Sequence, residues 1–214
     1  MKKILTTAIL CAGLVGFTAC DSFLDEDPKS SLTLDTYYKT SADIIGNVNY
    51  LYRDGAPDKM GNMTGAYRGS SLSVMNMVTG YFVNEYEGQE VDCSYARQLT
   101  RQDFTQSCCN YLTNDTWKSC YKSINVANAV IKYVDGVEMD NQAQYKAEAR
   151  FFRALNYFYL VKMFGDVPMV TEPTEDATLV EYPTRTAASE VFNTVIIPDL
   201  QFAVENLPNA TFAG

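Results

Sequence analysis

Histidine does not occur in this 214-residue sequence, and its absence removes several chemistries together. Ser-His-Asp and Cys-His nucleophile pairs need an imidazole base. His-ligated zinc needs imidazole nitrogen, and a switch working near neutral pH usually titrates it. Positive charge is also short: 17 basic residues face 26 acidic ones, a net −9. A nucleic-acid binder needs a cationic stripe to displace phosphate counterions, so that class is excluded. No two of the six cysteines stand in C-x-x-C spacing, which argues against a zinc ribbon or a thioredoxin-like site. After residue 20 no apolar run reaches the roughly 18 residues that mark a membrane-spanning helix. Tryptophan occurs once, against 15 Tyr and 11 Phe. What remains is a globular composition, 47% hydrophobic and 20% charged, long enough to bury a sizeable core. Tyrosine suits wet contact surfaces, because its ring is apolar and its hydroxyl can stay in water.

The first 20 residues read as a targeting segment. Lys2 and Lys3 precede a mostly apolar stretch from Ile4 to Phe17, too short to cross a bilayer comfortably, and Thr18-Ala19-Cys20 closes it. Small residues before a cysteine resemble a bacterial lipobox, in which the new N-terminal cysteine is acylated. The expectation is therefore a signal peptide over 1–19, lipid attachment at Cys20, and an acidic tether over 20–36 that includes Asp21, Asp25, Glu26, Asp27 and Pro28. With residues 1–19 removed, 15 basic and 26 acidic residues remain, a net −11. Cys93, Cys108, Cys109 and Cys120 are then left, as buried thiols or in a disulfide that an exported compartment permits.

Residues 37–214 read as one helical domain. A helix is expected from Ser41 to Tyr52, with Thr40 or Ser41 as cap and Asp43 in its first turn. Ser70 to Tyr81 is apolar but ambiguous, and Tyr81 to Arg101 is a long polar connection. From Asn114, the spacing of Trp117, Tyr121, Ile124, Asn128, Ile131 and Val134 predicts a helix, ended at Asp135-Gly136 by a left-handed glycine. A second runs from Gln142 to Phe164. Ala147, Phe151, Ala154, Phe158 and Val161 form its stripe, which Phe152, Leu155 and Tyr159 widen; Gly165 and Pro168 end it. A third runs from Ala187 to Asn206 with Val191, Val195, Leu200, Ala203 and Leu207 as core, and Pro198 must kink it or open a new first turn. The order of helices predicts an all-α fold of stacked helical hairpins of tetratricopeptide-like type with long irregular loops, although the repeat signature itself is not met.

Three segments carry a family resemblance: Trp117 to Ile131, Ala147 to Val170, and Arg185 to Pro208. The middle one is the most specific, with Glu148-Ala149-Arg150-x-x-Arg153-Ala154 leading to Gly165-Asp166-x-Pro168. Together with the lipobox and the acidic opening from Phe23 to Pro28, they resemble the SusD/RagB family of outer-membrane nutrient-uptake lipoproteins, over an N-terminal portion of it. The resemblance implies a cell-surface lipoprotein, exposed at the outer membrane. Such a protein binds oligosaccharides and hands them to a SusC-like TonB-dependent transporter, with no cofactor and no catalysis.

The residues fit a binder. Glu148, Arg150 and Arg153 lie among apolar neighbours and read as structural, with Arg153 paired inside the stack. A sugar needs a flat apolar face for its C–H surface and polar groups for its hydroxyls. The connection offers both in Tyr81, Asn84, Tyr86, Asp92, Tyr95 and Arg97, which are the candidate ligand contacts. The enzyme alternative rests on Glu85, Glu87, Glu90 and Asp92 as a glycosidase carboxylate pair, but four acids in a polar loop more often form a solvated face. The remaining alternative is a helical protein-interaction scaffold on the outer membrane with no glycan affinity.

Overall fold

The computed structural model describes residues 33–55, 76–82, 98, 100–102, 107–175 and 183–209. A short helix α1 (Leu34–Tyr37) leads into α2 (Ser41–Tyr50) and a π-helical turn (Leu51–Gly55). The two long arms are α3 (Ser107–Tyr133) and α4 (Gln142–Phe164). A two-residue ladder follows, β1 (Val167–Pro168) antiparallel to β2 (Arg185–Thr186), with Val167 opposite Thr186. Then come α5 (Ala188–Val191), a π-helical stretch (Phe192–Ile196) and α6 (Ile197–Asn206). The described part is thus all-α apart from one ladder, as expected.

Local chemistry sets the helix ends. Asp43 Oδ2 accepts the Thr40 N–H at 2.8 Å and the Thr40 hydroxyl at 2.6 Å, fixing the start of α2. These bonds hold the Asp43 carboxyl below its usual range. Gly165 ends α4 with φ +70°, a conformation side chains resist, and its N–H reaches Val161 O at 2.9 Å. Gly136 departs from expectation. It is not left-handed; α3 instead tightens into a 3-10 turn over Val134–Gly136, and the left-handed residue is Asn141, φ 60°, at the start of α4. Pro198 sits in the first turn of α6, directly after the π-helical stretch. The wider turn removes the demand for the hydrogen bond that proline cannot donate.

The arms α3 and α4 run antiparallel: Trp117 meets Phe164 with ring centroids 5.1 Å apart, and Asn128 meets Arg153. Helix α4 lies between α3 and α6 and packs on both. Two apolar clusters result. One joins Ile44, Val48 and Leu51 to Val130, Val134 and Phe152. The other joins Cys120 and Ile124 to Tyr157, Leu160, Val167 and Val195. Each fully buried large aliphatic contributes roughly 1.5–3 kcal/mol.

Three expected core positions are corrected. Phe151 and Phe158 are 37% and 38% exposed, and the buried aromatics of α4 are Phe152 and Tyr157. Leu200 is 38% exposed, and Asp199, at 2%, takes the inward place. One residue on a helix is 100° of rotation, and the inner direction is chosen by what the neighbouring helices supply. Helix α3 also begins seven residues before Asn114.

Candidate functional site

A turn over residues 76–82 leads into the connection from Tyr81 to Arg101 in which ligand contacts were expected, and Tyr81 and Phe82 are its first two residues. Thr79 builds it: its N–H and hydroxyl both donate to Asn76 O, at 3.2 and 2.7 Å, and Thr79 Oγ1 accepts the Tyr81 N–H at 3.3 Å. Gly80 then takes φ +77°, which reverses the chain. The turn presents Tyr81 at 88% exposure and Phe82 at 53%. Its base is tied to the far end of the connection. Gln102 Nε2 donates to Val78 O at 3.4 Å, and the Thr100 hydroxyl reaches Met77 Sδ at 3.9 Å. Two adjacent open rings on a turn held by its own hydrogen bonds are a preformed apolar face, which can cover the C–H surface of a ring-shaped ligand.

Tyr81 is the candidate residue whose surroundings are described. Asn84, Tyr86, Asp92, Tyr95 and Arg97 lie outside the described residues, as do Cys20, Cys93 and the acids Glu85, Glu87 and Glu90. Phe82 was missed by sequence reasoning. Its signal is the Gly80-Tyr81-Phe82 order, a glycine immediately before two aromatics. Cys120 is a free, fully buried thiol pushed up to about 12 by burial. Among the described residues no three His, Cys, Asp or Glu side chains converge as metal ligands would.

The Glu148–Arg153 motif holds the scaffold together. Arg153 donates from Nε and Nη2 to both oxygens of Asp199, at 2.6 and 2.9 Å, and from Nη1 to Asn128 Oδ1 at 2.9 Å. All three residues are buried, so one guanidinium links α3, α4 and α6 in the fork geometry arginine favours. Arg150 stands over the Phe202 ring at 4.2 Å. Glu148 accepts from Gln144 Nε2 at 3.0 Å and lies beside the Tyr52 hydroxyl, which it helps to push up in pKa after burial, the larger cause.

A polar ladder on α3 grips the chain that returns after α4. The Tyr121 hydroxyl donates to Pro168 O at 2.7 Å, and Asn128 Nδ2 donates to Val170 O at 3.0 Å and Glu172 O at 3.3 Å. Asn125 Oδ1 accepts the Thr174 N–H at 2.8 Å, and Lys132 pairs with Glu175. From α4, the Tyr157 hydroxyl both donates to Val170 O and accepts its N–H, at 2.8 and 2.7 Å. Burial pushes Tyr157 up to about 12 and raises Tyr121 as well. Beyond the β1–β2 ladder, backbone groups of Val170, Glu172 and Thr174 thus obtain side-chain partners without a second strand.

The structure is thus a mostly helical stack whose arms are tied by a buried ion pair, with Tyr81 and Phe82 exposed on a turn outside it. The chain belongs to the SusD-like family described as starch-binding and associating with the outer membrane, whose model matches residues 22–213. It is 29% identical over 216 residues to a SusD-like protein P2 of Formosa agariphila, covering 100% of this chain and 40% of that protein. A SusD-like protein of Bacteroides ovatus is 28% identical, with 99% of this chain and 35% of that protein covered. Among solved structures, a laminarin-binding SusD-like protein superposes with a TM-score of 0.62 at 23% identity, over 80% of this chain and 35% of that one. The chain therefore spans well under half the length of the relatives it matches.

Proposed function

We propose that this chain is the N-terminal helical part of a cell-surface lipoprotein that captures oligosaccharides and delivers them to a SusC-like TonB-dependent outer-membrane transporter. In this reading residues 1–19 are removed, Cys20 is acylated, 20–36 form the tether and 37–214 the binding domain. The observation that carries it is the turn presenting Tyr81 and Phe82 to solvent on a SusD-like scaffold. The laminarin-binding neighbour supports a glycan as the ligand class. Asn84, Tyr86, Asp92, Tyr95 and Arg97 remain the proposed polar and aromatic contacts.

Glycan-array screening followed by calorimetry tests the reading, with Tyr81→Ala as the variant. The domain is expected to bind at least one oligosaccharide weakly, with Kd in the micromolar range or above, a magnitude of roughly 8 kcal/mol or less. Loss of the ring should weaken that binding about tenfold, the upper end of what one aromatic contact contributes. A pull-down from outer-membrane extract should recover a TonB-dependent barrel. Failure to find either a glycan or a barrel overturns the proposal. A barrel without a glycan favours the interaction scaffold, and release of reducing sugar would reveal an enzyme.

A further inference from the structure

The Tyr133 hydroxyl, at the end of α3, meets carboxylates from two segments far from it in the chain. It donates to Asp35 Oδ1 of α1 at 2.8 Å, and Glu175 Oε1, on the chain that returns after α4, stands 3.3 Å from the same oxygen. A phenol carries one proton and bonds fully to one acceptor at a time. The two carboxylates also stand close enough to repel each other. Lys132 pairs with Glu175. That bond raises the Lys132 pKa, and Glu172 and Asp35 add to the rise, so three carboxylates share one ammonium. Each segment has other moorings. The Tyr38 ring, just after α1, lies flat on the Tyr133 ring with centroids 5.2 Å apart, and Asn47 Nδ2 donates to the Tyr37 hydroxyl at 3.1 Å. On the other side Asn125 holds the Thr174 N–H, and Asn128 holds the carbonyls of Val170 and Glu172.

We propose that Tyr133 is a shared donor for which Asp35 and Glu175 compete, coupling α1 to the strap over residues 170–175 with opposite sign: α1 docked loosens the far end of the strap, and α1 released tightens it. In the structure the shorter bond gives the proton to Asp35 and leaves Glu175 to Lys132. When Asp35 moves away, the hydroxyl turns fully to Glu175 and the repulsion between the carboxylates ends. Two segments that merely packed on the same helix would instead support each other. The coupling is reciprocal, because a free energy shared by two contacts acts on both alike. Its size is that of exposed contacts to charged groups, a factor of about two to five in a local opening equilibrium. The place of the switch gives it a use. Asp35 falls in the tether proposed over 20–36, so tension on the tether acts on α1 before it reaches the stack. The strap in turn rests on Asn128, whose Oδ1 accepts from Arg153 at 2.9 Å, the residue that also holds the buried ion pair. This use rests on the tether reading, whereas the competition for the proton does not.

Amide hydrogen exchange on the 214-residue chain, in neutral buffer without membrane, reads the competition at whichever partner was left unchanged. Asp35→Ala should slow exchange of the Thr174 N–H about two- to fivefold. Glu175→Ala should slow to a similar extent that of the Tyr38 N–H, which closes on Leu34 O at 3.0 Å. Tyr133→Phe keeps the ring stack and removes the proton, and in that background Asp35→Ala should no longer slow Thr174. Faster or unchanged exchange at Thr174 in Asp35→Ala overturns the proposal. So does slowing that persists without the hydroxyl, which would assign the effect to charge repulsion alone. If Tyr133→Phe loses its helical circular dichroism, the reciprocal pair of Asp35→Ala and Glu175→Ala decides, and slowing at only one of the two far partners overturns the proposal. The same exchange ratios are expected in Cys20→Ala, so a failed anchor leaves the switch standing and a failed switch leaves the anchor untouched.

Discussion

Asp199 is a carboxylate 2% exposed between helices, and the cost of placing it there is offset by Arg153 alone among the cations in hydrogen-bond contact. Arg150 Nε comes no closer than 3.8 Å. Replacing a buried pair together is far milder than removing one partner, which leaves the other charged in a dry site. Asp199→Ala should therefore lower stability by about 3–5 kcal/mol in urea unfolding, with Arg153 left on Asn128. The double variant Arg153→Met with Asp199→Leu should cost clearly less than the two single variants added, and strict additivity would show that the pair is not coupled. Tyr157 makes a different prediction. Its hydroxyl serves both polar groups of Val170, and burial raises its pKa from 10.0 to about 12. A raised pKa means that its stabilising effect is fully present below the unfolded value and is lost as pH rises through the folded one. Cys120, raised from 9.0 to about 12, acts in the same direction. The melting temperature should thus hold steady up to about pH 9 and then fall toward pH 12. Tyr157→Phe should cost about 1 kcal/mol of stability at neutral pH and flatten the alkaline fall, as read by calorimetry across pH.

At the scale of elements, α4 decides the packing and its two neighbouring phenylalanines separate the accounts of it. Phe152 is 3% exposed and its ring meets Tyr52 at 4.7 Å edge to face, while Phe151 stands 37% exposed. Phe152→Ala should cost about 3–5 kcal/mol and Phe151→Ala well under half of that; equal losses in thermal melts would mean that the helix is rotated from this position. The boundaries of α4 were readable, because Gly165 supplies a conformation other residues resist and Pro168 cannot extend a helix. The start of α3 was not, because Asn114 and Asp115 read as a cap and the apolar Cys108, Cys109, Tyr111 and Leu112 before them span little more than one turn. Nor was the inner face of α6. Periodicity ranks Leu200 as core and Asp199 as surface, and only the guanidinium arriving from α4 reverses that order. Asn125, Asn128 and Lys132 were invisible as a ladder for the same reason: their partners, backbone groups for the two asparagines and the Glu175 carboxylate for Lys132, lie more than 40 residues away.

At the scale of the molecule, the sequence marks the irregular connection more readily than it marks which of its side chains stand open. A connection without apolar periodicity is recognisable as such, and Tyr81 is exposed where expected. Which of its side chains stand open depends on how the chain turns, and Thr79 and Gly80 set the turn that carries Tyr81 and Phe82. The proposed position of the domain in the cell is a separate question and rests on residues 1–36. The apolar stretch from Ile4 to Phe17 ends at Thr18-Ala19-Cys20, and the next residues carry Asp21, Asp25, Glu26 and Asp27. A run that short does not span a bilayer well. A single acyl chain binds reversibly, and each buried CH₂ adds only about 0.8 kcal/mol, so firm attachment needs more than one chain on the cysteine. In the proposed reading the acidic residues that follow would favour water over an anionic membrane surface. If the anchor works this way, Cys20→Ala should abolish incorporation of labelled palmitate and shift the protein from the membrane pellet to the soluble fraction. Glycan affinity of the domain should stay unchanged, because the tether and the turn at Tyr81 are separate parts of the chain. A Cys20→Ala protein that still pellets, beside a wild type whose N-terminal peptide carries no acyl mass, would mean that the apolar stretch itself, not a lipid, holds the chain at the membrane.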